Sequence, residues 1–310
     1  MTTAGAGVGR GHLSRSLTLA ETLVGRGATV TLELSDGRLE GASAARAERI
    51  GMGGTAVAAP DAVVVVDLPD LAGVEARAPV ERLVVFDDRD AFRGKAAIVI
   101  QPSMPTWAGS GRAGRVLAGF EYAPVARDYV DLRDAGPAGG STLPEVVVCF
   151  GGSDPALVTR RLATVLAAGE AWRTTTIVGA DYAGGLDDLP PGAVRDPADL
   201  PARLARADLA VIGAGTMKFE VACLGRPAVL LAVADDQLAA GPPFASTGAA
   251  AYVGDGRTIG PERVLHAVGA LVEDGARRVA MGRTAAAVVD GGGAERLAAA
   301  ILSLAGHAPA

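Results

Sequence analysis

The sequence predicts an α/β protein built from two parallel-sheet domains, and three observations carry that expectation. Short β-branched runs recur along the chain and alternate with stretches whose apolar residues fall at helical spacing. The runs are apolar throughout, as strands buried on both faces are. One stretch near the middle, residues 132–144 (LRDAGPAGGSTLP), concentrates turn-forming residues as a linker does.

The chain opens with glycines at positions 5, 7, 9 and 11, and the apolar stripe Leu13, Leu17, Ala20 and Val24 predicts a helix directly after them. A loop that rich in glycine lets backbone approach a ligand, and His12 stands where loop meets helix. Imidazole changes charge between pH 5 and 8, so His12 is a candidate general base as well as a structural histidine. Arg15, one turn on, reads as an anion contact or a surface charge. A buried strand normally precedes such a loop. Only residues 1–4 stand there, so that strand is very short or the natural start lies upstream.

Residues 29–34 alternate as a strand and 44–50 read as a helix. Runs at 62–66, 83–86 and 97–100 read as buried strands, each followed by polar residues: Asp67, then Asp87 and Asp88, then Gln101. Asp88 and Asp90 form a DxD pattern, read as a polar strand end in preference to a metal site. Residues 108–133 show no strong periodicity. The first domain is therefore placed at 1–135 and the second at 145–310, with the last helix a candidate to pack back on the first.

The second domain opens with a strand at 145–150, then Gly151, Gly152, Ser153, Asp154 and Pro155, then a helix over 156–168. Further strands fall at 174–178, 209–212, 228–233 and 250–253, and helices at 199–206, 217–224, 261–273, 277–289 and 294–304. The turn at 151–155 offers backbone N–H groups to a diphosphate, or is an ordinary helix start capped by Ser153 or Asp154. Gly215 and Thr216 form a second such turn before a helix carrying Glu220, which could accept both hydroxyls of a ribose. The alternative has Thr216 as an N-cap and Glu220 favoured by the helix dipole. Lys218 reads as a solvated lysine or as charge beside the diphosphate. The strand 228–233 ends in a polar exit at Asp235, Asp236 and Gln237.

Composition narrows the choices. The net charge of −6 gives no basic footprint for nucleic acid. No apolar run reaches the ~18 residues of a membrane span, and no signal-peptide pattern opens the chain, so the expectation is a cytoplasmic protein without membrane insertion. Cys149 and Cys223 sit in apolar runs as core thiols, and with His12, His266 and His307 the sole histidines, a zinc site is hard to build. Oligomeric state is unmarked.

Five ordered blocks together resemble one family. Residues 9–20 (GRGHLSRSLTLA) are similar to the GxGHxxRxxxLA opening of the nucleotide-sugar hydrolases of pseudaminic acid biosynthesis and the related spore-coat polysaccharide proteins. Residues 84–88 (VVFDD), 117–129 (LAGFEYAPVARDY), 146–155 (VVVCFGGSDP) and 213–237 resemble later blocks in the same order. The resemblance implies the GT-B architecture, two Rossmann-like domains with parallel sheets facing across a cleft. It implies a UDP-like nucleotide-sugar as the small-molecule partner, held near Gly151, Gly152, Ser153, Gly215, Thr216, Met217 and Glu220, with Asp236 and Gln237 toward sugar or phosphate. His12 would be the base, with Gly11, Arg15 and Asp88 on the acceptor side, and neither metal nor cofactor would take part. The family carries Gly-Ser-Thr-x-Trp-Glu where this chain has residues 215–220, and Asn-Gln where it has Asp236 and Gln237. A carboxylate at 236 repels diphosphate unless Lys218 or an arginine compensates. The reading that follows is a metal-independent nucleotide-sugar hydrolase. A GT-B glycosyltransferase with a small-molecule acceptor is the alternative, and a binding protein without turnover a third.

Overall fold

The computed structural model describes residues 1–2, 10–34, 41–49, 59, 61–104, 113–133 and 143–306. The chain forms two compact units, Met1–Ala126 with Gly291–Ala310, and Arg127–Asp290. The glycines at 5, 7 and 9 and residues 134–142 of the expected linker lie outside the described residues.

In the first unit, helices α1 (Gly11–Gly25) and α2 (Gly41–Arg49) precede four parallel strands in the order β1 (Val64–Val66), β2 (Leu83–Phe86), β3 (Ala96–Gln101) and β4 (Ala113–Ala118). Side chains alternate across the sheet. Val84, Phe86, Ile98 and Ile100 pack with Leu19 and Leu23 of α1, whereas Leu83, Val85 and Val99 pack with Leu71, Val74 and Phe92 on the opposite face. The helix Gly293–Leu304 belongs to this unit and sets Leu297, Ala298 and Ile301 into the first of these cores. Met1 and Thr2 stand at the place expected for a first strand: Thr2 bridges Leu34 in parallel, the Met1 ammonium donates to Val65 O at 2.7 Å, and Asp67 N donates to Met1 O at 3.0 Å. Two residues therefore sit between Leu34 and β1. The strand expected at 29–34 is reduced to that bridge. β4 was hidden because it is an edge strand, with exposed Gly114 and Arg115 breaking any apolar pattern.

The second unit begins with a short helix, α3 (Arg127–Val130). It continues through β5 (Glu145–Cys149), α4 (Val158–Ala167), β6 (Arg173–Val178), β7 (Val194–Arg195), α5 (Leu200–Arg206), β8 (Leu209–Gly213), α6 (Met217–Cys223), β9 (Ala228–Ala232), α7 (Asp235–Ser246), β10 (Ala251–Asp255), α8 (Pro261–Glu273) and α9 (Gly275–Val288). All six strands are parallel, in the order β10-β9-β8-β5-β6-β7. Counted from β5, that is 6-5-4-1-2-3, the doubly wound order of a Rossmann-type domain. β8 and β9 are buried at every position, as two-face-covered strands must be. α7 begins at the polar exit of Asp235, Asp236 and Gln237, where the sequence reading places no helix. Pro242 and Pro243 lie inside it and look like breakers, yet Phe244 anchors the helix edge-on to Phe219, with ring centroids 5.9 Å apart.

Candidate functional site

In both units the candidate residues stand at the carboxyl ends of parallel strands, where the strand order reverses. Open α/β sheets bind ligands at such points.

In the first unit the reversal lies between Met1–Thr2 and β1. His12 and Arg15 are one turn apart on α1 and so face the same way. Asp67 follows β1 immediately and is 1% exposed. His12 Nδ1 lies 2.6 Å from Asp67 Oδ1, and Arg15 grips the same carboxylate twice, Nε to Oδ2 and Nη2 to Oδ1, each at 2.6 Å. Ser16 Oγ donates to Oδ2 at 3.2 Å, and Arg15 Nη1 donates to Asp88. The guanidinium lies 4.7 Å from the Phe86 ring centroid. Arg15 is thus buried and committed to two carboxylates.

Electrostatics keep the Arg15–Asp67 pair ionised. Burial pushes the Asp67 carboxyl up, but Arg15 and His12 outweigh it and hold it well below the usual carboxylate range. Burial likewise opposes the charge on Arg15, and Asp67 and Asp88 raise its proton affinity beyond that of an ordinary guanidinium. A carboxylate only accepts, so His12 Nδ1 carries the proton toward Asp67 and Nε2 is left as the basic nitrogen. The 3.2 Å approach of Arg15 Nη2 to Nδ1 then brings two donors together and is no hydrogen bond. His12 retains about a quarter of its side-chain exposure.

The other strand ends of this unit do different work. Asp87 accepts from Ala91 N and Phe92 N and shapes the loop after β2. Among the described residues, Asp88 Oδ1 and both amide atoms of Gln101 are buried without a hydrogen-bond partner.

In the second unit the reversal falls between β5 and β8, and the turns after these two strands are the two the sequence singles out. After β5, Gly151 takes a φ of 95°, open only to glycine without strain. Gly152 O accepts from Asp181 N at 3.0 Å, and a Cβ on Gly179 would come within 2.3 Å of that oxygen. Ser153 is buried. Asp154, not Ser153, caps α4: Oδ1 and Oδ2 accept from Val158 N at 2.9 Å and Thr159 N at 2.7 Å. The cap reading of this turn is therefore met by Asp154, with the helix beginning at Val158, three residues after Pro155. The carboxylate occupies N–H groups of α4, which leaves the backbone of Gly151, Gly152 and Ser153 as the candidate anion contacts.

After β8, Gly213 and Gly215 flank a turn against which Gln237 packs. A Cβ on Gly215 would stand 3.1 Å from Gln237 Nε2 and one on Gly213 would stand 3.3 Å from Oε1, while Oε1 accepts from Val233 N at 3.1 Å. Gln237, on α7, and Gly215, before α6, are thus brought together. Thr216 occupies the N-cap position of α6 without a side-chain cap bond, and Glu220 is half-buried in the first turn. Lys218 is no solvated lysine: it is 2% exposed, and Nζ donates to Ala214 O at 3.0 Å and Gly215 O at 3.3 Å. Asp236 is exposed at the start of α7, and the nearby Arg257 pairs instead with Asp235 at 2.6 Å and Asp255 at 2.9 Å.

Asp67 is the site residue that sequence reasoning passed over. Its signal was its place, the first residue after a buried strand, as Asp87 is after the next. Among the described residues no group of three or more His, Cys, Asp or Glu is placed to hold a metal ion, and Cys149 and Cys223 are buried free thiols.

The two doubly wound units define the fold of the GT-B glycosyltransferases. Solved structures of similar fold include CalG4, the calicheamicin glycosyltransferase, with a TM-score of 0.63 and 16% identity over 99% of this chain and 98% of that one. The spinosyn rhamnosyltransferase SpnG, complexed with spinosyn aglycone, gives 0.60 and 13% over 93% and 97%. MurG of Acinetobacter baumannii gives 0.58 and 18% over 97% and 98%. In sequence, 106 residues are 26% identical to the spore coat polysaccharide biosynthesis protein SpsG of Bacillus subtilis strain 168, covering 34% of this chain and 31% of that protein. No family model matches the chain. No described helix is long and apolar enough to cross a membrane.

Proposed function

We propose that this chain transfers a sugar from a nucleotide-sugar donor to an acceptor hydroxyl, with His12 as general base. The observation that carries this reading is the 2.6 Å contact of His12 Nδ1 with buried Asp67, which leaves Nε2 to take a proton. The fold supports it, as do the names of two structural neighbours, a glycosyltransferase and a rhamnosyltransferase.

In this mechanism the acceptor oxygen attacks the anomeric carbon as its proton passes to His12 Nε2. The anomeric C–O bond to the diphosphate breaks, and the nucleoside diphosphate leaves with the electron pair. Such a leaving group needs stabilising charge more than an acid. The backbone N–H groups of Gly151, Gly152 and Ser153 and the Gly215–Met217 turn are assigned to the diphosphate, and Glu220 to the ribose. Asp236 and Gln237 are assigned to the sugar side.

A second reading keeps the same donor and base and replaces the acceptor with water. The GRGHLSRSLTLA opening, with its likeness to nucleotide-sugar hydrolases, favours it. The deciding experiment follows nucleotide release from UDP-, GDP-, CDP- and TDP-sugars with and without a panel of hydroxyl acceptors. Transfer requires release that depends on the acceptor and is lost in His12→Ala. Rapid release without acceptor sinks transfer in favour of hydrolysis, and undiminished turnover in His12→Ala removes the base from both readings.

A further inference from the structure

Arg15 has more carboxylate than one cation needs, and the surplus has a direction. Nε and Nη2 form a two-pronged grip on Asp67, and Nη1 reaches Asp88 on the next strand end. A guanidinium alone among side chains offers this planar fork; an ammonium is a point charge that could not hold both oxygens and reach a second carboxylate. The Phe86 ring lies against the guanidinium, its centroid 4.7 Å from Cζ, and packs it from one face. The plane of the Asp67 carboxylate is therefore set by Arg15, and that plane aims Oδ1 at His12 Nδ1.

The charge balance points the same way. Asp67 and Asp88 contribute two negative charges and Arg15 one positive, so with a neutral imidazole the cluster carries one net negative charge. When His12 takes a proton the cluster becomes neutral. Without Asp88, Arg15 would cancel Asp67 and the imidazolium would form uncompensated. Among the described residues the Met1 amino group, held on Val65 O, also lies beside Asp67; it stands outside this count because burial weakens its hold on its proton and so opposes its charge.

We propose that Arg15 is a positioning residue that fixes Asp67 for His12, and that Asp88 supplies the charge which the imidazolium needs. The proposal rests on His12 being the general base, and its test separates the two. In the full-length protein, the His12 Nδ1–H proton is followed by NMR as a downfield, slowly exchanging resonance, assigned by its loss in His12→Gln. Arg15→Lys keeps the charge and loses the fork: the resonance is expected to disappear. With the UDP-sugar that the wild type turns over fastest, kcat is expected to fall roughly 10–100-fold while the donor KM stays within about twofold, the effect of a misaimed base. Asp88→Asn is expected to keep the resonance and lower kcat by roughly 3–10-fold, the effect of one charge removed beside a protonating group.

A resonance and kcat both unchanged in Arg15→Lys overturn the proposal. Loss of the resonance with kcat unchanged upholds the positioning role and overturns the general-base reading instead. If Arg15→Lys does not fold, Asp88→Asn carries the test, and an unchanged kcat there overturns the charge-supply role.

Discussion

Asp67 Oδ1 lies 2.6 Å from His12 Nδ1 and 2.6 Å from Arg15 Nη2, so one buried oxygen serves both the candidate base and its cationic neighbour. Removing that oxygen's charge has separate consequences for catalysis and for folding.

For catalysis, Asp67→Asn no longer selects the His12 tautomer with Nδ1–H. Turnover of a nucleotide-sugar is expected to fall by roughly 10²–10⁴-fold with little change in nucleotide affinity, the scale of losing an orienting carboxylate behind a histidine. Steady-state kinetics and nucleotide titration check this, and a loss of less than about threefold removes Asp67 from the mechanism.

For folding, the same variant leaves Arg15 buried with a single carboxylate, a cost of about 3 kcal/mol. The folded-state proton affinity of Asp67 is depressed. Its contribution is therefore present above the unfolded carboxylate value of ~3.9 and is lost as pH falls toward the lower folded value. The stability gap between wild type and Asp67→Asn should narrow on acidification below about pH 4, read from urea unfolding at pH 7, 5 and 3.

Asp154 has the opposite sign. Burial pushes its carboxyl up against the bonds from Thr159 and Val158, so ionisation costs the folded state more as pH rises through that range. Asp154→Ala loses both caps of α4 and is expected to cost about 1–2 kcal/mol. Asp154→Asn keeps one acceptor and no charge, so its deficit relative to wild type should be smaller at pH 7 than at pH 4. Denaturant midpoints at the two pH values decide it.

Gly179→Ala tests the turn after β5. The new methyl would meet Gly152 O at 2.3 Å, and backbone cannot rotate away as a side chain can. A loss of about 1–3 kcal/mol is expected, together with weaker nucleotide binding if Gly152 N–H faces phosphate. Calorimetric titration with UDP reads the second effect.

Glu220→Ala tests the turn after β8. Loss of charge-assisted bonds to a ribose would weaken UDP binding by roughly 1.5–3 kcal/mol. An unchanged dissociation constant rejects that role.

Much of this arrangement is legible in residue order. Runs such as Val146–Val148 and Leu209–Ile212 read as two-face-buried strands by their length and β-branched content, and the glycines at 151, 213 and 215 mark their exits. What was illegible depends on partners distant in sequence. Asp67 lies 55 residues from His12, and nothing local distinguishes it from any polar strand end. Lys218 reads as solvent-facing because lysine usually is, and only the carbonyls of its own turn explain its burial. α7 went unread after the polar exit at Asp235, Asp236 and Gln237: Pro242 and Pro243 lie inside it, and the ring of Phe219 that packs against it is supplied from another element.

The placement of Gly293–Leu304 in the first unit bears on how the chain is made. Leu19, Val84 and Phe86 lack their partners Leu297 and Ile301 until nearly three hundred residues have been synthesised. The second unit, continuous from Arg127 to Asp290, has no such dependence on a distant segment. On the ribosome the later-encoded unit is thus the first able to complete its core, while the first unit waits with an uncovered apolar face, a state that chaperones recognise.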